Sequence, residues 1–183
     1  MGPFPHDEPF AMINEQNPAG TDGFEFVEFA HPDPDELRSL FNKMGYKKVA
    51  VHRTRSIELW QQGDITYVLN ADIESFGGRF AQEHGPCAPS MGWRVVDANH
   101  AFKRALALGA EAYEGLGKVL DVPALKGIGS SLIYFIDKYR DGSPYDADYE
   151  WIAEPKPKGV GFYYLDHLTL NVYRGNMDEW FSF

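Results

Sequence analysis

The stretch from Phe24 to Tyr46, "FEFVEFAHPDPDELRSLFNKMGY", decides the fold. Its first part alternates. Phe24, Phe26 and Glu28 fall on one face and Glu25, Val27 and Phe29 on the other, which predicts a strand covered on much of both faces. Helix signals follow at once. Asp33 is placed to cap, and Pro34 suits the first helical position, where a missing N–H costs nothing. Leu37, Leu40, Phe41 and Met44 mark one face, and Gly45 ends the helix. Three strand-like runs come next, "KKVAVHR", "SIELWQQ" and "ITYVLNAD", with "QQGD" as a tight turn between the last two.

The same plan recurs further along. "MGWRVV", from Met91, reads as a strand. "DANHAFKRALALGA" reads as a helix capped by Asp97, with Ala101, Phe102, Ala105, Leu106 and Leu108 inward and Gly109 at its end. "LDVPALKGIGSSLIYFID" holds shorter strands broken by glycine, and "DGSPYDADYEWIAEP" reads as a loop leading into a proline-rich linker. A third copy opens at Tyr164, where Leu165, His167, Thr169 and Asn171 alternate with Asp166, Leu168 and Leu170 before a turn and the start of a helix. Repetition at this scale organises a chain, and one βαβββ unit is too small to cover both faces of its sheet. The expectation is therefore an α+β protein of paired βαβββ units. Residues 1–22 form a tail, 23–154 one complete domain, and 155–183 a linker with the start of a second domain. Phe26, Leu40, Trp60, Trp93, Leu106 and Phe135 are the expected core.

Composition narrows the function. Net charge is −10 without a Lys/Arg cluster, which disfavours nucleic acid and anionic membrane surfaces as partners. No apolar run approaches the roughly 18 residues of a membrane span, and "MGPFPHDEPF" lacks the basic and apolar regions of a secretory signal. The single cysteine, Cys87, has no internal disulfide partner and sits in the loop-like "EHGPCAPS", so a cytoplasmic protein with an inert thiol is expected. "GIGSS" reads as a turn between strands. "HDE" at residues 6–8 reads as part of a solvated tail. His6, His31, His52, His84 and His100 show no metal-ligand spacing; His31 lies near a helix start and His100 on a helix, where surface or capping roles are expected.

Paired βαβββ units resemble the vicinal oxygen chelate, or glyoxalase-like, superfamily. "GFEFVEFA", "HRTRSIELWQQGDITYVLN", "FAQEHGP", "RALALGA", "PALKGIG", "LIYFID" and "LDHLTLNVYRGNMDEWFSF", in this order, resemble the N-terminal part of the 4-hydroxyphenylpyruvate dioxygenase family in its bacterial form. The resemblance runs from Gly23 to Phe183 and implies a metal-free domain followed by a catalytic domain that binds Fe(II). It implies a fragment about half the length of a family member, inactive alone. Aligned by strand phase, Val27, Trp93 and His167 occupy one position, which in this fold class points into the cup of the sheet. Valine and tryptophan cannot ligate Fe(II), whereas a neutral imidazole can.

By resemblance, His167 matches the first iron ligand of a two-histidine, one-carboxylate triad whose other members lie beyond Phe183. Asp166 alternates to the other face and is not expected to ligate. One departure stands at Leu170, where bacterial relatives often carry a second histidine. The implied reaction takes a small-molecule 2-oxo acid and O₂ to homogentisate, in a homo-oligomer with no nucleic-acid or membrane partner. Hydroxymandelate synthase shares scaffold and substrate and stays open as an alternative, as does a non-catalytic binding module.

Overall fold

The computed structural model describes residues 10–182. Its centre is one eight-stranded sheet. The first unit runs β1 (Thr21–Ala30), α1 (Pro34–Lys43), β2 (Lys47–His52), β3 (Ile57–Gln62) and β4 (Ile65–Asn70). A helix α2 (Phe76–His84) separates it from the second unit, which runs β5 (Cys87–Val95), α3 (Ala98–Ala107), β6 (Ala124–Lys126), β7 (Leu132–Ile136) and β8 (Tyr149–Trp151). A last helix, α4 (Met177–Ser182), follows. Across the sheet the strands lie β6-β7-β5-β1-β4-β3-β2-β8. The units meet where β1 and β5 pair antiparallel, while β1–β4 and β5–β7 are parallel. This is the paired βαβββ, α+β architecture that the repeated pattern predicts.

Local chemistry sets the long elements. Asp33 caps α1 by accepting from the Asp35 N–H at 3.1 Å, and Asp97 caps α3 by accepting from the His100 N–H at 2.8 Å. Gly63, at φ +56°, supplies the left-handed residue of the β3–β4 turn. Helices α1 and α3 cover one face, called outer here. Phe41 of α1 packs with Tyr46, Trp60, Ile65 and Leu69; Ala98 and Ala101 of α3 pack with Val95, Leu125 and Phe135. The inner face carries the largest cluster, drawn from both units, with Phe26, Leu59, Val68, Leu132, Tyr134, Tyr145 and Tyr149. Each fully buried aromatic or aliphatic side chain there contributes about 1.5–3 kcal/mol by leaving water.

Five expectations are corrected. First, Leu40, Leu106 and Leu108 are exposed, because each short helix turns only a narrow stripe inward, centred on Phe41 in α1 and Ala101 in α3. Second, α2 lies where no helix is expected, its two interior glycines masking it; Ser75 caps it by accepting from the Gly78 N–H at 2.8 Å. Third, the loop reading of 141–155 misses β8, which crosses back to pair with β2. Fourth, Cys87 opens a strand and is not in a loop. Fifth, β1 starts at Thr21, inside the expected tail of residues 1–22, and Asn17 accepts from the Thr21 N–H at 2.9 Å. His6 and the "HDE" run lie outside the described residues. No helix among the described residues is long and apolar enough to cross a membrane.

Candidate functional site

Two polar clusters sit on the inner face, and a register break puts them there. Phe24 pairs with Trp93 and Phe26 with Gly92, so two residues of β1 advance against one of β5. The bulge sends Phe24 outward onto Trp93, with ring centroids 4.8 Å apart, and Phe26 inward onto Tyr134. Glu25 turns inward to meet Arg94, and Val27 shares the outer phase with Phe29. Trp93 packs against the cluster under α3. The expected equivalence is thereby corrected: Val27 and Trp93 do not face the inner side. Phe26 and Glu28 of β1 and their partners Gly92 and Ser90 of β5 do. A side chain at Gly92 would collide with Phe26 and Ile136, so the middle of the inner face is filled by packing.

The first cluster centres on Glu28, which is 1% exposed. It accepts from Asn70 Nδ2 at 2.6 Å and from the Ser90 hydroxyl. Asn70 also donates to Ser75 Oγ at 2.9 Å. Gly77 of α2 lies against the Glu28 carboxylate so closely that no Cβ fits. Burial pushes the Glu28 carboxyl above its ordinary range, and the Ser90 and Asn70 hydrogen bonds pull it back only in part. Burial, followed by the charge of Glu28, pushes the Cys87 thiol up to about 11, far from the thiolate a nucleophile needs.

The second cluster joins the units. Arg94 of β5 donates to Glu25 of β1 at 2.6 Å and to Asp64, beside the β3–β4 turn, at 2.5 Å. Lys156 reaches the other Asp64 oxygen at 2.6 Å. Burial raises the Glu25 carboxyl against the opposing Arg94 charge. At Asp64 burial is overcome by Arg94 and Lys156, which hold it below the usual carboxylate range.

His167 lies apart from both clusters. Residues 162–173 follow an irregular path without strand pairing, so the alternation read there does not form a strand, while the helix expected after it is α4. The His167 side chain is 74% exposed, and its Nδ1 lies 3.0 Å from Asp166 Oδ1. Asp166 is held below its ordinary range first by its hydrogen bond with His167. Of the other histidines, His31 accepts from the Asp33 N–H at 2.9 Å beside the α1 cap, and His100 contacts the Pro18 carbonyl at 2.9 Å. Among the described residues no three His, Cys, Asp or Glu side chains converge as a metal site. One exposed imidazole with its neighbouring carboxylate does not by itself fit an Fe(II) centre, which needs a set of convergent ligands. A cleft of about 1020 Å³ lies between α2, the β6–β7 turn and residues 171–180, and includes His84, Lys126, Glu111 and Glu179.

Residues 15–150 match the family model described as hydroxyphenylpyruvate dioxygenase, HPPD, N-terminal. A 4-hydroxyphenylpyruvate dioxygenase of Pseudomonas aeruginosa is 45% identical over 181 residues, covering 94% of this chain and 50% of that protein. A solved fusion of a xylose isomerase-like TIM barrel with 4-hydroxyphenylpyruvate dioxygenase superposes with a TM-score of 0.78 at 30% identity, covering 95% of this chain and 27% of that one. A 4-hydroxymandelate synthase from Streptomyces coelicolor shares the fold, with a TM-score of 0.60 at 18% identity over 74% of this chain and 43% of that one. The chain spans about half the length of the curated dioxygenase relatives it matches.

Proposed function

We propose a function from one premise: this chain belongs to the hydroxyphenylpyruvate dioxygenase N-terminal family. In this reading residues 23–154 are the metal-free half of an Fe(II)-dependent 4-hydroxyphenylpyruvate dioxygenase, and residues 155–183 lead into its catalytic half. The substrate is a 2-oxo acid, the co-substrate O₂ and the product homogentisate, within tyrosine and phenylalanine catabolism. The enzyme is a cytoplasmic homo-oligomer. The observation that carries the reading is 45% identity over 94% of the chain to a dioxygenase of that name.

Within this proposal His167 is one of three iron ligands, and the other two come from sequence beyond Phe183 in a protein of the relatives' length. Iron held by two histidines and a carboxylate keeps open positions for a chelating oxo acid and for O₂. The chain's own part is narrower. An Nδ1–H of His167 donated to Asp166 leaves Nε2 bare for a metal and fixes the tautomer, the usual task of a carboxylate behind a ligating histidine. The domain at 23–154 contributes a packed support: its inner face is filled by Phe26, Tyr134, Tyr145 and Tyr149.

The test uses iron analysis, oxygen uptake and product identification. The 1–183 chain alone should show no substrate-dependent uptake, since one imidazole cannot hold Fe(II) against water. In a protein extended to the relatives' length, His167→Ala should remove iron and abolish turnover while the 23–154 domain keeps its melting transition. A His167→Ala protein with full iron and near-normal turnover overturns the ligand assignment. Hydroxymandelate in place of homogentisate as product would assign the synthase reaction instead.

A further inference from the structure

Residues 156–163 cross the β3–β4 turn along a path fixed by specific atoms. Gln62, the last residue of β3, is fully buried, with 0% exposure. Its Oε1 accepts from the Val160 N–H at 2.6 Å and the Gly161 N–H at 3.1 Å, and its Nε2 donates to the Met44 carbonyl at the end of α1 at 2.9 Å. Gln61 Oε1 accepts from the Lys156 N–H at 2.9 Å. The Gly63 N–H donates to the Pro157 carbonyl at 2.8 Å, and the Asp64 N–H to the Tyr163 carbonyl at 2.9 Å. The crossing is close enough to require glycine. A Cβ at Gly159 would strike the Gln62 side chain, one at Gly63 would strike Tyr163, and one at Gly45 would lie 2.8 Å from Val160; all three have positive φ. Lys156 also takes a left-handed φ of 53°, unusual outside glycine. Beyond the crossing, Leu165 packs against the cluster of Phe41, Trp60 and Leu69, two residues before His167.

A buried carboxamide has to find partners for its oxygen and its N–H groups. Here the carboxamide spends its acceptor on a segment more than ninety residues away in the chain and its donor on a helix end, so it ties three elements together. We propose that Gln62 is a positioning residue: through it the first βαβββ unit fixes the path of residues 156–163 and thereby the place at which the chain delivers His167. The importance of that place rests on the function proposed above; the clamp itself does not.

Amide hydrogen exchange and a distance measurement on the 1–183 chain test this. In the unsubstituted protein the Val160 and Gly161 amides should be protected. Gln62→Leu removes their acceptor, and their protection should fall about tenfold or more, while strand-centre amides at Val68 and Ile133 hold theirs. Should Gln62→Leu fail to fold, Gly159→Val serves. It lies outside the 23–154 core, and its side chain displaces the Gln62 contact, so it should produce the same local loss. For the distance, nitroxides at Lys43→Cys and Leu170→Cys in a Cys87→Ser background should give one narrow distribution that broadens with either substitution. Unprotected Val160 and Gly161 amides in the parent protein overturn the proposal. So do protection and distance distributions that neither substitution changes. Neither readout involves metal. In a protein of the relatives' length, iron bound equally well with and without His167 would sink the ligand assignment and leave the clamp standing, whereas a mobile 156–163 sinks only the clamp.

Discussion

The first βαβββ unit completes its sheet, with β3 and β4 paired along their full lengths and β2 paired with β3 on both sides of a bulge at Val49, whereas the second does not. In the second unit a single bridge between Ala112 and Leu125 follows α3, and β6 is three residues long. Its last strand, β8, leaves to pair with β2 at the far edge of the first unit. On the way it carries Tyr145 and Tyr149 onto the inner face, where the Tyr149 hydroxyl donates to the Val119 carbonyl at 3.0 Å. One unit thus closes its partner's edge and leaves its own short. The lesson is that the repeat in sequence is not a repeat in stability: neither half has a complete core without the other, because the inner-face cluster takes side chains from both.

The sharpest way to break that comparison is a large-to-small change in each unit. Phe41→Ala in the first and Phe135→Ala in the second should each cost about 3–5 kcal/mol, since both rings are buried. If the units share one core, each substitution lowers a single transition, and denaturant melts followed by fluorescence and by circular dichroism coincide. Two separated transitions in either variant would show units that fold independently. Tyr149→Phe is a finer probe of the crossing strand. It leaves the buried Val119 carbonyl without that hydroxyl, for an expected loss of about 1–3 kcal/mol in urea unfolding. No measurable loss would mean that β8 merely covers the edge of β2.

Glu28 tests the seam between the units through pH. Burial raises its folded pKa above the ordinary 4.5, so the folded protein holds this proton more tightly than the unfolded chain. The stability it contributes is fully present below the unfolded value and is lost as pH rises through the folded one. A glutamine at this position has no such proton to lose. The stability of the natural protein relative to Glu28→Gln should therefore decline as pH rises from 4.5 toward neutrality, read from paired denaturant melts. A pH-independent difference would mean that Glu28 is not held in its protonated form. The smallest effect expected is at the exposed helix leucines. Leu40→Ala and Leu106→Ala, one in each unit, should each change stability within about 0.5 kcal/mol. A loss above about 2 kcal/mol at either would place that leucine in a covered surface.

The sequence by itself determined the repeated strand–helix–strands plan, the α+β class, the caps Asp33 and Asp97, and the glycine turn after Gln62. Each of these is written in a few consecutive residues, since capping, periodicity and turn geometry are short-range effects. It also singled out His167 by type and by resemblance. Only the tertiary structure decided what depends on residues far apart in the chain. The bulge at Glu25, which reverses the phase that Val27 was given, is set by pairing with β5, a strand that the chain reaches only after the whole first unit and α2. The glycines of α2 look like helix breakers until Glu28 is seen against Gly77, where any side chain would clash. β8 is a strand because β2 offers it an edge. Gln62 reads as an ordinary polar strand residue until Val160 and Gly161 arrive at its carbonyl oxygen. Local sequence fixes which conformations a segment prefers, whereas register, close approach and buried pairing are fixed by partners the segment meets only in the folded chain.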